Sequence, residues 1–164
     1  MQKGKLYLSQ ALIKMMETKP LEDISIKDLT KKAGVSRMTY YRYFYDKEDI
    51  LKDYMKYILE EYDKKVEQST KNPFHSRAHV LESLLFFKQH MAFALCLKKA
   101  GMESMLLDAL NDYVRKQPAF HEESTMHSYA FYYYAGALFN CYMQWISDGA
   151  TVPAEELASV IRRI

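Results

Sequence analysis

Ser25-Ile-Lys-Asp-Leu-Thr-Lys-Lys-Ala-Gly-Val-Ser-Arg-Met-Thr-Tyr-Tyr-Arg-Tyr-Phe-Tyr-Asp-Lys-Glu-Asp-Ile-Leu51 reads as a helix, a glycine turn, a short helix, a second turn and the start of a long helix. Ser25 stands where an N-cap is needed, with Asp28 at the third helical position and Ile24 and Leu29 as the flanking hydrophobic staple. Ser36 opens a second helix, with Val35 and Tyr40 in the staple positions, and Asp46 a third, with Asp49 at the third helical position and Tyr45 against Ile50. Each polar cap satisfies a backbone N–H that a helix start would otherwise leave orphaned, worth roughly 1 kcal/mol. Gly34 suits the left-handed conformation that ends one helix just before the next begins.

Upstream of this stretch, Leu8, Ala11, Leu12 and Met15 follow the spacing of one helical face, and Pro20 predicts that this first helix ends near Thr18. The head is therefore three helices, the last two joined by a very short turn. Residues 1–47 carry ten Lys/Arg against five Asp/Glu, whereas residues 48–164 carry thirteen against sixteen. A basic head on a mildly acidic body points to a polyanion partner for the head alone. The short helix from Ser36 to Tyr43 offers Arg37, Met38, Thr39, Tyr41 and Tyr43 with no carboxylate to repel phosphate. A helix of this kind enters the major groove with its N-terminal residues on base edges. Leu29, Ala33, Val35, Tyr40 and Phe44 supply the apolar side that holds it, and Arg42 reads as a solvated charge pointing away from the groove.

The pattern Ala-Gly-Val-Ser-x-x-Thr-x-Tyr-x-x-Phe-x-x-Lys-x-x-Leu, matched at Ala33, Gly34, Val35, Ser36, Thr39, Tyr41, Phe44, Lys47 and, with isoleucine for leucine, Ile50, resembles the DNA-binding domain of the TetR family. The resemblance covers residues 5–55. It implies a double-stranded DNA operator as partner, with Lys47 holding a phosphate from the start of the fourth helix. It also implies backbone contacts from Thr39, Tyr41 and Tyr43, and base contacts from Arg37 and Met38; Ser25, Lys27 and Ser36 complete the expected DNA-binding set. Arg37 either pairs with guanine O6 and N7 or reaches a phosphate, and the sequence leaves both open. Tyr40 departs from the aliphatic residue common at its position, so its hydroxyl must find a partner or the surface.

The body reads as all-α. A long helix from Lys47 has Leu51, Tyr54, Ile58, Tyr62 and Val66 as its inward stripe and breaks at Asn72-Pro73. Further helices are predicted near 76–99 (with a break around Gln89-His90), 102–116, 124–147 and 153–163. The expected architecture is a three-helix helix-turn-helix head, residues 1–47, and a helical-bundle dimerisation and sensor domain, residues 48–164. The 124–147 helix carries Ala130, Ala135, Gly136 and Ala137, small residues that permit close helix approach. With Asn140 and, on the closing helix, Leu157 and Ile161, they are the expected homodimer interface. The end of the chain, Trp145-Ile-Ser-Asp-Gly149 followed by Pro153-Ala-Glu-Glu-Leu157, resembles a TetR subgroup that includes regulators of dihydroxyacetone kinase operons. That resemblance leaves two sensing modes open, a small-molecule effector or a partner protein. Phe86, Phe87, His90, Met91, Met102 and Met105, with Phe93 and Leu106, lie where such proteins keep an effector pocket, though aromatic and methionine stripes at helical spacing equally fill cores.

Other functions find little support. Cys96 and Cys141 lie far apart in apolar runs, a pattern that suits buried thiols and a reducing cytoplasm. Ser128 to Ser147 has no charged residue, yet its tyrosines, Asn140 and Gln144 are too polar for a membrane span. His75 and His79 have an i, i+4 spacing, but no further ligands stand at a zinc-site spacing, and no cofactor is expected. No glycine-rich phosphate loop, nucleophile elbow or catalytic carboxylate pair is present, so an enzyme is not expected.

Overall fold

In the computed structural model, described at residues 2–69, 76–116 and 125–161, the described residues form nine helices and no strand. They are α1 Lys3–Met16, α2 Ile26–Ala33, α3 Arg37–Tyr43, α4 Lys47–Ser69, α5 Arg77–Lys88, α6 Met91–Lys99, α7 Ser104–Arg115, α8 Thr125–Ser147 and α9 Ala154–Ile161. The chain divides into two compact units, Met1–Lys65 and Val66–Ile164. The first unit takes in α4 through Lys65 along with the three helices of residues 1–47.

The first unit is built by the caps. The Ser25 hydroxyl accepts the Asp28 N–H at 3.1 Å, the Ser36 hydroxyl accepts that of Thr39 at 3.0 Å, and the Asp46 carboxylate accepts that of Asp49 at 2.8 Å. Gly34 ends α2 at φ +66°, the left-handed conformation that glycine adopts without steric cost. Leu8, Leu12, Ile24, Leu29, Tyr40, Ile50 and Leu51 are buried in full or nearly so. One staple fails. Tyr45 is 92% exposed while Ile50 is buried. Phe44, the residue before it, is extended at φ −136°, ψ 137°, and consecutive side chains of extended backbone point to opposite sides. Phe44 takes the inward place, and Tyr45 is turned out.

In the second unit α5 and α6 meet at a 70° bend at Gln89-His90. A core of Val80, Leu84, Ala94, Met143, Trp145, Ile146, Ala154 and Ala158 joins α5, α6, α8 and α9. The turn after α8 is tied down by side chains: the Trp145 indole N–H donates to the Val152 carbonyl at 2.8 Å, and the Lys88 ammonium lies 5.3 Å from the Trp145 ring centroid. Among the described residues no single helix is long and apolar enough to cross a membrane. His75 and the Asn72-Pro73 break lie outside the described residues.

Candidate nucleic-acid interface

The recognition surface follows from which side of α3 is buried. Tyr40 is wholly buried, and at 3.6 residues per turn Met38 and Arg42 lie about 160–200° from it. Both are exposed, Met38 by 73%. Arg37 and Tyr41 flank them and are exposed too, and Thr39 is half-buried. Arg42, read from sequence as pointing away, thus shares the outward face with Met38. The i, i+4 spacing from Met38, set against the apolar Tyr40, is the signal that could have found it.

Behind this face the head is braced by residues that the sequence reading passed over. Gly4 of α1 lies so close to α3 that a Cβ there would meet the Thr39 Cγ2 at 3.3 Å. The Lys5 ammonium pairs with the Asp53 carboxylate at 2.8 Å and stands 5.6 Å from the Tyr43 ring centroid and 5.4 Å from that of Phe44. One cation therefore joins α1, α3 and α4, and Tyr43 is half-buried under it. Glycine near a helix start carries a cost in propensity, and that cost is the only trace of this contact in the sequence.

The polar groups expected on DNA are variously occupied. The Ser25 hydroxyl also donates to the Asp28 carboxylate at 2.7 Å, and the Ser36 hydroxyl lies 3.0 Å from that of Thr39. Both serines are exposed, but their hydroxyls already serve as caps. Lys27 is exposed on α2. Lys47 is half-buried, and its ammonium donates to the Leu21, Glu22 and Ile24 carbonyls. The Tyr40 hydroxyl is buried with no hydrogen-bond partner among the described residues. Its desolvation, and then the nearby Asp46, Tyr41 and Asp49 groups, push its pKa above the ordinary tyrosine value.

In the second unit the residues expected around an effector are partly brought together. Phe86 stacks edge-on to Phe87 at 5.2 Å and lies 5.2 Å from the His90 ring. The Tyr142 hydroxyl donates to the Phe87 carbonyl at 2.9 Å. Burial holds the His90 imidazole below the usual histidine pKa. Met91 and Leu106 pack on the core of this unit, and Phe93 is buried. Met102 and Met105 are half-buried around the start of α7. Of the expected interface residues, Asn140 is exposed and Gly136 faces open space, since a Cβ there would meet nothing within 4 Å. Ala137 is half-buried. Leu157 and Ile161 lean onto the chain's own core, and the outward apolar residue of α9 is Val160.

A capped helix, a glycine turn and a short helix with an exposed, carboxylate-free face define a helix-turn-helix DNA-binding head. Residues 9–54 match the family described as bacterial regulatory proteins, tetR family. The chain is similar to the HTH-type transcriptional regulator EthR of Mycobacterium tuberculosis H37Rv, 39% identical over 59 residues, with the same figures for EthR of Mycobacterium bovis. The match spans 36% of this chain but only 27% of the length of each relative. Among solved structures the fold is similar to that of the dihydroxyacetone kinase operon activator DhaS, with a TM-score of 0.65 and 19% identity over 96% of this chain and 91% of that one.

Proposed function

We propose that the chain is a homodimeric transcriptional repressor whose two heads read successive major grooves of a pseudo-palindromic operator, and that an effector bound in the second unit releases it. The observation that carries the DNA-binding part is the outward face of α3, where Arg37, Met38, Tyr41 and Arg42 stand exposed on a basic head with no carboxylate among them. Arg37 and Met38 lie at the helix N-terminus, where side chains reach base edges, and Arg42 extends the cationic surface by one turn. Homodimerisation is supported by the uncharged outward stripe of α8, in which Tyr129, Tyr133 and Asn140 are exposed and Gly136 is open. Expulsion of water from such a stripe favours pairing with an identical one. The ring cluster of Phe86, Phe87 and His90 supports an effector with an aromatic or apolar body. Effector and DNA then weaken each other's binding by the same factor.

A second reading, an activator whose second unit docks a partner protein, is supported by the fold neighbour named as an operon activator. The two readings share the head and differ in what the body senses.

A mobility-shift titration over a salt series tests the proposal. Specific binding is expected in the roughly 10⁻⁸–10⁻¹¹ M range at physiological salt, falling steeply as salt rises through counterion release. Binding that is equal for every duplex sequence would refute it.

A further inference from the structure

α3 has seven residues and buries only Tyr40 outright. A helix that short does not hold its own shape in water, so its place must come from the helices it touches. Its Thr39–Tyr43 side rests on the first turn of α1. A Cβ at Gly4 would stand 3.3 Å from the Thr39 Cγ2 and 3.9 Å from the Tyr43 Cε2. The Lys5 ammonium lies beside both rings that close α3, 5.6 Å from the Tyr43 centroid and 5.4 Å from that of Phe44, within reach of a cation–π contact. Asp53 of α4 anchors that ammonium at 2.8 Å, and the two side chains are only 25% and 26% exposed, so water and salt screen the pair less than an open surface pair. The other Asp53 oxygen is buried with no hydrogen-bond partner among the described residues. A carboxylate so enclosed needs its cation, because an uncompensated charge keeps its desolvation cost.

We propose that Lys5 and Asp53 are positioning residues for operator recognition. Their ion pair seats the last turn of α3 between α1 and α4, and so sets the angle at which the exposed side of α3 meets base edges. The inference rests on the DNA-binding reading for its effect on affinity, but the seat itself exists without DNA. A head without the pair has α3 misplaced in part of the population, and its apparent affinity falls with the fraction that stays competent. A random duplex offers phosphates and no matching base edges, so it is indifferent to that angle.

The sign of one substitution separates the seat from plain electrostatics. Asp53→Ala removes a negative charge from the head, and charge alone would make every duplex bind more tightly. The seat predicts the opposite for the operator. Asp53→Ala, Lys5→Met and the double variant of the 164-residue chain are titrated by mobility shift over a salt series, at a temperature where circular dichroism shows each folded. The targets are an operator selected with the wild-type chain and a random duplex. Amide hydrogen exchange of the DNA-free proteins is followed alongside.

Asp53→Ala should weaken operator binding roughly fivefold, the population ratio that loss of one such pair gives, while random-duplex binding holds or tightens. Lys5→Met should lower the operator-to-random ratio by a similar factor, and the double variant should lower it no further, since both single changes break the same contact. The Phe44 N–H, which donates to the Tyr40 carbonyl at 3.0 Å, should exchange faster in both single variants without DNA. The proposal is overturned if Asp53→Ala binds the operator as tightly as wild type or more tightly. It is equally overturned if Lys5→Met loses about 0.9 in salt slope per head on both duplexes with their ratio unchanged, the signature of one phosphate contact. Unchanged exchange at Phe44 in both single variants overturns it as well. A wild-type chain that shifts no duplex would remove the DNA-binding reading and leave the Phe44 exchange to decide the seat. If Asp53→Ala fails to fold, Lys5→Met decides through the same ratio and the same amide.

Discussion

Replacing Tyr40 by phenylalanine should make the head more stable, an unusual direction for a change at a wholly buried residue. The ring is fixed by its neighbours, 5.1 Å from the Tyr41 ring and 6.3 Å from that of Phe44, and phenylalanine keeps both contacts. What it loses is a hydroxyl that is buried without a partner. An unmade buried hydroxyl costs about 1–3 kcal/mol. Loss of one oxygen leaves only a small void, so the net gain should be roughly 1–2 kcal/mol. With a urea m-value of about 1–3 kcal/mol/M the midpoint rises by roughly half a molar or more. Alkaline pH gives an independent readout. The folded-state pKa of Tyr40 is raised by burial and by the nearby carboxylates of Asp46 and Asp49. Its contribution is therefore intact below the unfolded tyrosine value near pH 10 and is lost as pH rises beyond it. Tyr40→Phe should lessen that alkaline loss. Tyr142 is the control, because its hydroxyl does have an acceptor in the Phe87 carbonyl, and Tyr142→Phe should destabilise by about 0.5–1.5 kcal/mol. Urea unfolding followed by circular dichroism measures both. A Tyr40→Phe head that is less stable than wild type would show that the hydroxyl is bonded, and the reasoning would fail.

Three further outcomes follow from the geometry. Gly34→Ala should cost about 1 kcal/mol by thermal or urea unfolding, and the cost is conformational, since φ is +66° and a Cβ would meet nothing within 4 Å. Arg37→Ala and Arg42→Ala, compared by binding selections, should each alter the DNA behaviour of the head. If Arg37 reads guanine, its loss costs about 1–3 kcal/mol and relaxes one base pair per half-site, whereas an unchanged consensus would make it a phosphate contact. For Arg42, affinity within twofold of wild type would return it to the role of a solvated charge. Gly136→Arg should yield monomers in sedimentation and abolish operator binding while the head still folds, because it sets an unpaired charge into the uncharged α8 stripe. A variant that stays dimeric at micromolar concentration would place association on another face.

The head was legible from sequence wherever backbone chemistry dictates residue type. Ser25, Ser36 and Asp46 each accept the N–H three residues on, as their capping positions require, and Gly34 has the left-handed conformation expected of it. The break at Gln89-His90 was readable for the same reason, as an interruption of the helical apolar pattern. Tertiary contacts were not readable in this way. Gly4 against Thr39, Lys5 joining Asp53 to two aromatic rings, and the three carbonyls around Lys47 link positions 23 to 48 residues apart with no local pattern to announce them. Tyr45 was misplaced because staple spacing presumes a particular entry angle, and the extended Phe44 changes it. On α9, Leu157 and Ile161 are partly buried against the chain's own core and Val160 is exposed, a division that periodicity alone does not give.

The central claim is that two copies of the head read a symmetric DNA site, and selection of bound duplexes from a random pool by the 164-residue chain tests it most directly. A two-fold dimer predicts enrichment of a pseudo-palindrome whose half-sites are spaced by about one helical turn or a multiple of it, with base preferences that move when Arg37 is changed. Enrichment of a single unrepeated half-site, or of no sequence at all, would contradict it.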